Sequence, residues 1–311
     1  MTNSLKSHKS YDQKKNLYKV LTCANSRYFV ALRKFIHHYN HEQLPFDDLI
    51  VYDIGLTNDE ENELCILEEK YGFHIHKLDF SKYPEHVNLN IEKWSGLYNS
   101  YAFKAIIIHK ILQTINVPLF FLDCSLGFGT NTFEKISENV AKNNFWITVS
   151  AHKGAINSVE LNHPEMLKHF NIDKNDIITC ASGIIGMNYS DPYCKKIIDE
   201  WYENSLIENV IIPRGSSRNN HRQDQSVLSC VLHNNNFDYS ICGGVPFAPW
   251  KHRPVNYENK YRRFTCTNKK TSRCESLIFI NTLEEAIEIY MNRKQISKEE
   301  LLENFIIQLF L

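Results

Sequence analysis

The run Pro118–Leu122 is wholly apolar and ends on Asp123, so a strand over these residues delivers a carboxylate to the edge of a sheet. A carboxylate there can hold a divalent metal, which in turn bridges a diphosphate and stabilises charge on a departing nucleotide. In enzymes that use nucleotide-sugars this task belongs to an Asp-x-Asp pair, and here the second position is Ser125. An aspartate at a strand end can equally cap the next turn, and the letters alone leave both readings open. A second group is His221-Arg222-Gln223-Asp224-Gln225-Ser226, six polar residues directly ahead of an apolar run from Val227. On a helix over His221–His233, His221 and Gln225 share a face and Asp224 lies on the adjacent one. A carboxylate beside histidine and arginine can serve as general base or orient an acceptor hydroxyl. A solvated helix start, with its aspartate at the positive end of the dipole, has the same letters. Third, Tyr101 and Lys104 stand three apart near the start of a helix expected over Asn99–Ile115. A lysine there can neutralise a diphosphate, or lie on the surface and do nothing.

The elements that must position these residues alternate along the chain. Tyr18–Ala24, Leu49–Tyr52, Phe73–Leu78 and Pro118–Leu122 read as strands. Helices are expected over Arg27–Tyr39, from a Thr57/Glu60 capping box to Tyr71, and over Asn99–Ile115. Strand–helix alternation implies βαβ units and a mostly parallel sheet, whose ligands bind outside the carboxyl ends of the strands. Thr22 and Asn25, Asp53, and Asp123 with Ser125 all fall at that edge. In the second half Phe145–Val149 and Gly183–Asn188 read as strands, and Asp191-Pro192 starts a helix to Leu206. Pro246–Asn259, aromatic and basic, suits a loop over a site. Capping boxes at Thr282/Glu285 and Ser297/Glu300 start two helices, the first carrying Ile287 and Tyr290, the second Leu301, Leu302, Phe305, Ile306 and Leu309 on its apolar face.

Taken together, Val51-Tyr52-Asp53-Ile54-Gly55-Leu56, Tyr101-Ala102-Phe103-Lys104-Ala105, Leu122-Asp123-Cys124-Ser125 and His221-Arg222-Gln223-Asp224-Gln225-Ser226 resemble a family pattern. The family is a group of GT-A-type glycosyltransferase-like proteins of invertebrates and large DNA viruses, with V-Y-D-L-G-L, Y-A-W-K-P, W-L-D-A-S and H-R-x-D-Q-S in this order. The resemblance spans about Leu17 to Val245 and extends more distantly to glycogenin-like transferases. It implies an α/β fold of GT-A (Rossmann-like) type: a mixed, mostly parallel sheet flanked by helices, with a helical C-terminal appendage. With the polar first residues read as a disordered tail at 1–16 and the last helices as the appendage at 266–311, the transferase domain is expected at 17–265.

The resemblance also implies roles. Thr22, Asn25, Asp53, Lys104, Asp123, Ser125, His221 and Arg222 would bind the donor, a UDP-sugar. Asp224 and Gln225 would be catalytic, moving a hexose to a hydroxyl on a glycan or protein. Asp123 would hold Mn2+ or Mg2+, joined by His252 of the stretch Gly243–His252, which faintly resembles a glycogenin-like histidine motif. The sequence departs from the pattern in that Phe103 and Ala105 replace the usual Trp and Pro, and Ser125 removes a carboxylate, the last of which weighs against tight manganese dependence. The alternative is a catalytically degenerate nucleotide- or glycan-binding protein of the same fold.

Composition narrows the class from outside. A chain of 311 residues buries about three quarters of the surface its unfolded form exposes, enough to fold without staples. A net charge of −1, from 35 basic and 36 acidic side chains, argues against a nucleic-acid coat. No apolar stretch is long enough for a transmembrane span. Nine cysteines without a CxxC pair read as reduced, small buried hydrophobes. With no apolar leader in Met1–Lys15, a cytoplasmic protein is expected, in the host cytoplasm if its Asn-, Lys- and Ile-rich composition reflects a viral genome.

Overall fold

A computed structural model of the chain describes residues 18–42, 44, 48–88, 100–128, 132–149, 161–172, 177–217, 220–242, 247–249, 262–268, 274–279 and 305–310. They fall into two units, one within Met1–Lys251 and one within His252–Leu311. The expected tail, His252, most of the Pro246–Asn259 loop and the helix from Thr282 lie outside the described residues.

The first unit is built on strands β1 (Lys19–Ala24), β2 (Leu49–Asp53), β3 (His74–Lys77), β4 (Leu119–Leu122), β6 (Phe145–Val149) and β7 (Cys180–Met187). They form one sheet in the order β3-β2-β1-β4-β7-β6, with β5 (Leu126–Phe128) and β8 (Phe247–Pro249) paired apart. β1 runs parallel to β2 and β4, and β2 to β3; β7 is antiparallel to both β4 and β6. The expected mixed, mostly parallel α/β sheet is therefore present. All residues of β2 and β4 are buried, because helices cover both faces and such strands need apolar side chains on each.

Alternate residues feed two cores. Leu21, Tyr52, Phe121 and Ile185 share one face with α3 (Ala102–Leu112), α5 (Pro164–His169), α6 (Pro192–Ser205), α7 (Glu208–Ile211) and α8 (Asp224–Asn234). Val20, Val51, Phe120 and Trp146 meet α1 (Phe29–His41), α2 (Asn58–Tyr71) and α4 (Thr132–Asn143) on the other. Helix α2 opens with the capping box read from Thr57 and Glu60 and ends on Gly72 in the left-handed region, φ 80°. Helix α4 needs Gly186 beneath it, since a Cβ there would lie 2.5 Å from Val140 Cγ2.

Three differences from the sequence reading bear on the site. Strand β7 begins at Cys180 rather than Gly183, and Ser182–Ile184 bulge out of its ladder with β6: Ile147 pairs Ile185, but Thr148 pairs Ala181. Helix α8 starts at Asp224, not His221, because Gln223 adopts φ 43°, ψ −115° and breaks the helical path. In the second unit, β9 (Arg262–Asn268) pairs antiparallel with β10 (Cys274–Phe279) and with β11 (Phe305–Phe310). The C-terminal end of the helix expected from Ser297 is thus a strand. Its run Phe-Ile-Ile-Gln-Leu-Phe is β-branched and aromatic, and a short apolar run of this kind fits both periods. No helix among the described residues is long and apolar enough to cross a membrane.

Candidate functional site

The strand order reverses between β1 and β4, so the sheet's topological switch point lies at their carboxyl ends. Asp123 leaves β4 there. Its backbone N–H donates to the Gly183 carbonyl at 2.8 Å, and its own carbonyl accepts from Leu126 N–H at 2.9 Å. Its side chain is not spent on that turn. Asp123 Oδ1 lies 3.1 Å from Lys104 Nζ, and Gly183 makes the room: a Cβ on it would stand 3.1 Å from Asp123 Oδ2 and 3.0 Å from Leu126 Cδ1.

Lys104 is not a surface lysine. Helix α3 buries every residue but His109 and Lys110, and Lys104 itself is only 4% exposed. A charge at such a place requires partners. It has Asp123, Asp224 Oδ2 at 3.4 Å, and both the carbonyl and hydroxyl of Ser182 at 3.3 Å. Burial opposes the charge of Lys104, but the carboxylates of Asp123 and Asp224 outweigh it and hold the pKa above the ordinary lysine value. Burial likewise raises the Asp123 pKa, with the Lys104 ammonium opposing the rise.

Asp224 opens α8. Ser182 Oγ donates to its Oδ2 at 2.5 Å, and Trp201 Nε1 donates to its carbonyl at 3.2 Å. The group read as a possible solvated helix start is therefore mostly buried: His221 and Ser226 are fully enclosed, Gln223 and Asp224 nearly so. Gln225 reaches back to the Cys180 carbonyl at 3.3 Å, and the Arg222 N–H donates to Ser226 Oγ at 2.8 Å. A cavity of ≈ 320 Å³ opens between these elements, lined by Tyr101, Lys104, Asp123, Thr148, Ser182, Arg222, Asp224 and Gln225 among others. Its size is at the lower end for small-molecule sites. Tyr101 and Gln223, both on its wall, hold left-handed φ of 56° and 43°. Non-glycine residues take this region only under tertiary constraint, and such strain gathers at functional sites.

The structure thus brings Lys104, Asp123, Arg222, Asp224 and Gln225 together, and of the other expected residues that it describes it leaves Thr22, Asn25, Asp53, Ser125 and His221 outside the cavity lining. Thr22 is fully buried in β1 and Asn25 follows that strand; Thr22 Oγ1 and Asn25 Oδ1 have no partner among the described residues. Asp53 Oδ1 accepts from the N–H groups of Gly55 and Leu56, each at 2.8 Å, and Oδ2 lies 3.4 Å from Lys77 Nζ. Its carboxylate shapes the turn after β2. Ser125 sits in the turn after β4, outside the cavity lining. His221 faces the core: its Nε2–H donates to the Ile211 carbonyl at 2.8 Å, and burial pushes its pKa down to about 4. Ser182, which accepts from Lys104 and donates to Asp224, carried no sequence signal beyond the glycine beside it, a common mark of close approach in a strand.

His252 lies outside the described residues, and Ser125 offers a hydroxyl where a second acid would stand. Among the described residues no group of three His, Cys, Asp or Glu side chains is placed to hold an ion. The cation that Asp123 and Asp224 share is the Lys104 ammonium. The described residues therefore form no preformed cage for a divalent cation, and the two carboxylates at hand are already paired with a charge of the chain.

No family model and no curated protein matches this sequence. Among solved structures the chain is similar to the bifunctional glycosyltransferase WbbM, at 13% identity and a TM-score of 0.48, over 74% of this chain and 38% of that one. It is similar to the galactosyltransferase LgtC in complex with donor and acceptor sugar analogues, at 12% identity and TM-score 0.41, over 68% and 70% of the two chains. It is also similar to mouse xyloside xylosyltransferase 1, at 12% identity and TM-score 0.43, over 76% and 99%. This chain therefore spans well under half the length of the first of them. Likenesses this distant assign no residue a role, so the reading of the site rests on a lysine and two aspartates, from three separate elements, meeting in one cavity at the switch point of the sheet.

Proposed function

We propose that the chain is a nucleotide-sugar-dependent glycosyltransferase that moves a hexose from a UDP-sugar to a hydroxyl of a glycan or protein. The observation that carries this reading is the convergence of Lys104, Asp123 and Asp224 in a polar cavity at the carboxyl edge of a mostly parallel sheet. Thr22 Oγ1 in the last half of β1 and Asn25 Oδ1 just after it, buried with no partner among the described residues, suit a base or ribose that would satisfy them. In the transfer the anomeric carbon–oxygen bond breaks with its electron pair leaving on the diphosphate. The acceptor oxygen bonds to that carbon and passes its proton to the departing diphosphate. Asp224, fixed by Ser182 and Lys104, would face positive charge developing at the anomeric carbon, and Arg222 would meet the departing diphosphate. Such prearranged charge lowers a barrier because it needs no reorganisation during the reaction.

The test is a panel of UDP-, GDP- and CMP-sugars, scored for binding and hydrolysis with and without Mn2+. Binding or turnover of none under any condition overturns the reading. Asp123→Ala separates the enzyme from a silent binding protein of the same fold, a rival that the serine at 125 favours. A transferase should lose about 100-fold or more in turnover, whereas a binding module should change only in affinity.

A further inference from the structure

The chemistry around Lys104 is that of a cation site. Its ammonium nitrogen has five oxygens within a narrow shell: Asp123 Oδ1 at 3.1 Å and Oδ2 at 3.4 Å, Asp224 Oδ2 at 3.4 Å, and the Ser182 carbonyl and hydroxyl at 3.3 Å each. Two carboxylates and a carbonyl around one positive centre resemble the oxygen cage of a hard metal ion. Here the positive charge is covalently part of the chain and cannot dissociate. The cage is also built to order: Ser182 is delivered by the bulge of β7, Asp123 occupies the space left by Gly183, and Asp224 is set by the strained turn at Gln223.

Charge counting agrees. Among the described residues Lys104 and Arg222 line the cavity against Asp123 and Asp224, so their charges balance with no added ion. A divalent cation seated on Asp123 would stand close to the Lys104 ammonium, where like charges repel. In an Asp-x-Asp pair a second acid would stand two residues after Asp123, where this chain has the uncharged Ser125.

Given the transferase reading above, on which this inference rests, we propose that Lys104 is the resident cation of the site and that donor binds without a dissociable divalent metal. Ser125 is the position that sets this independence. The proposal concerns donor binding, so it is read without turnover.

The experiment uses the full chain, stripped with EDTA. UDP and UDP-glucose are titrated calorimetrically in EDTA and in excess MnCl2. Their affinities should agree within about threefold. Separately, MnCl2 alone is titrated while the electron paramagnetic resonance signal of free Mn2+ is followed. Wild-type protein should leave that signal unchanged, whereas Ser125→Asp should capture Mn2+ and make UDP binding at least about tenfold tighter in its presence. UDP binding that appears only with Mn2+ overturns the inference and leaves the transferase reading intact. Mn2+ capture by wild type that Asp123→Asn abolishes also overturns it, whatever the nucleotide results. A Ser125→Asp chain that still ignores Mn2+ overturns the role given to Ser125. UDP and UDP-glucose binding in neither condition overturns this inference and counts against the transferase reading as well.

Discussion

At the scale of single residues, burial decides what each ionisable group can do. Lys104 keeps its charge in the core because two carboxylates meet it; His221 has no such partner and stays neutral. Its ring gives one N–H to the Ile211 carbonyl, Nδ1 has no partner among the described residues, and the His163 ring lies 6.4 Å away. Burial lowers its pKa from 6.5 to about 4, with the Ile211 bond opposing the fall and His163 adding to it. The consequence has a definite sign. Above pH 6.5 the histidine is neutral in both folded and unfolded chains and contributes its full share of stability. As pH falls through 6.5 the unfolded chain takes up a proton that the folded one refuses, so stability is lost until about pH 4. The loss from this one group is about 3 kcal/mol over that window. Urea unfolding at several pH values should show it, and His221→Asn should flatten the slope between pH 6.5 and 4. An unchanged slope would mean that His221 is hydrated or charged in the fold.

At the scale of elements, the site is made where regular structure stops: the bulge in β7, the turn after β4, and the two left-handed residues ahead of α3 and α8. Gln223, at φ 43° and ψ −115°, is the sharpest of these. A glycine takes that conformation freely, and an alanine does not. Gln223→Gly should therefore be more stable than Gln223→Ala by about 1 kcal/mol in thermal or urea unfolding, although both lose the same buried amide. Equal stabilities would show that the turn relaxes and that Asp224 is not held by strain. These irregular places are also where sequence reading fell short. The capping box at Thr57 and Glu60 was legible because capping involves residues three apart, β4 was legible as a wholly apolar run, and β2 as an apolar run closed by Asp53. Asp123 was legible as the acid closing such a run. What lay beyond reach was anything set by contacts distant along the chain. Nothing local distinguishes a buried Lys104 from an exposed one, His221 shares its segment with Asp224 yet points into the core, and Ser182 acquires its role only when β7 bulges.

At the scale of the whole molecule, the sheet carries two separate cores, and the question is whether they melt as one. The cysteines can answer it. Cys23, Cys180, Cys194 and Cys230 lie in the core on one face, and Cys124 in the core on the other. All five are free thiols and buried. Burial pushes the thiols of Cys180 and Cys194 up to about 12 and raises those of Cys23, Cys124 and Cys230 as well. The thiolate is the reactive form, so these five should be inert to a disulfide reagent in the native chain near neutral pH, while exposed Cys65 reacts at once. Under increasing urea the five should then become reactive together, because the strands between the two cores are shared: Phe120 and Phe121 are neighbours on β4 yet belong to opposite faces. Losing either core leaves half the side chains of that strand exposed to water, and the sheet cannot keep one face without the other. Mass-spectrometric mapping of labelled cysteines across the transition gives the order. A midpoint for Cys124 that differs from that of Cys180 and Cys230 would show that the face bearing α4 opens on its own, and the site, which draws Asp123 from the β4 end and Asp224 from α8, would then come apart before the chain unfolds.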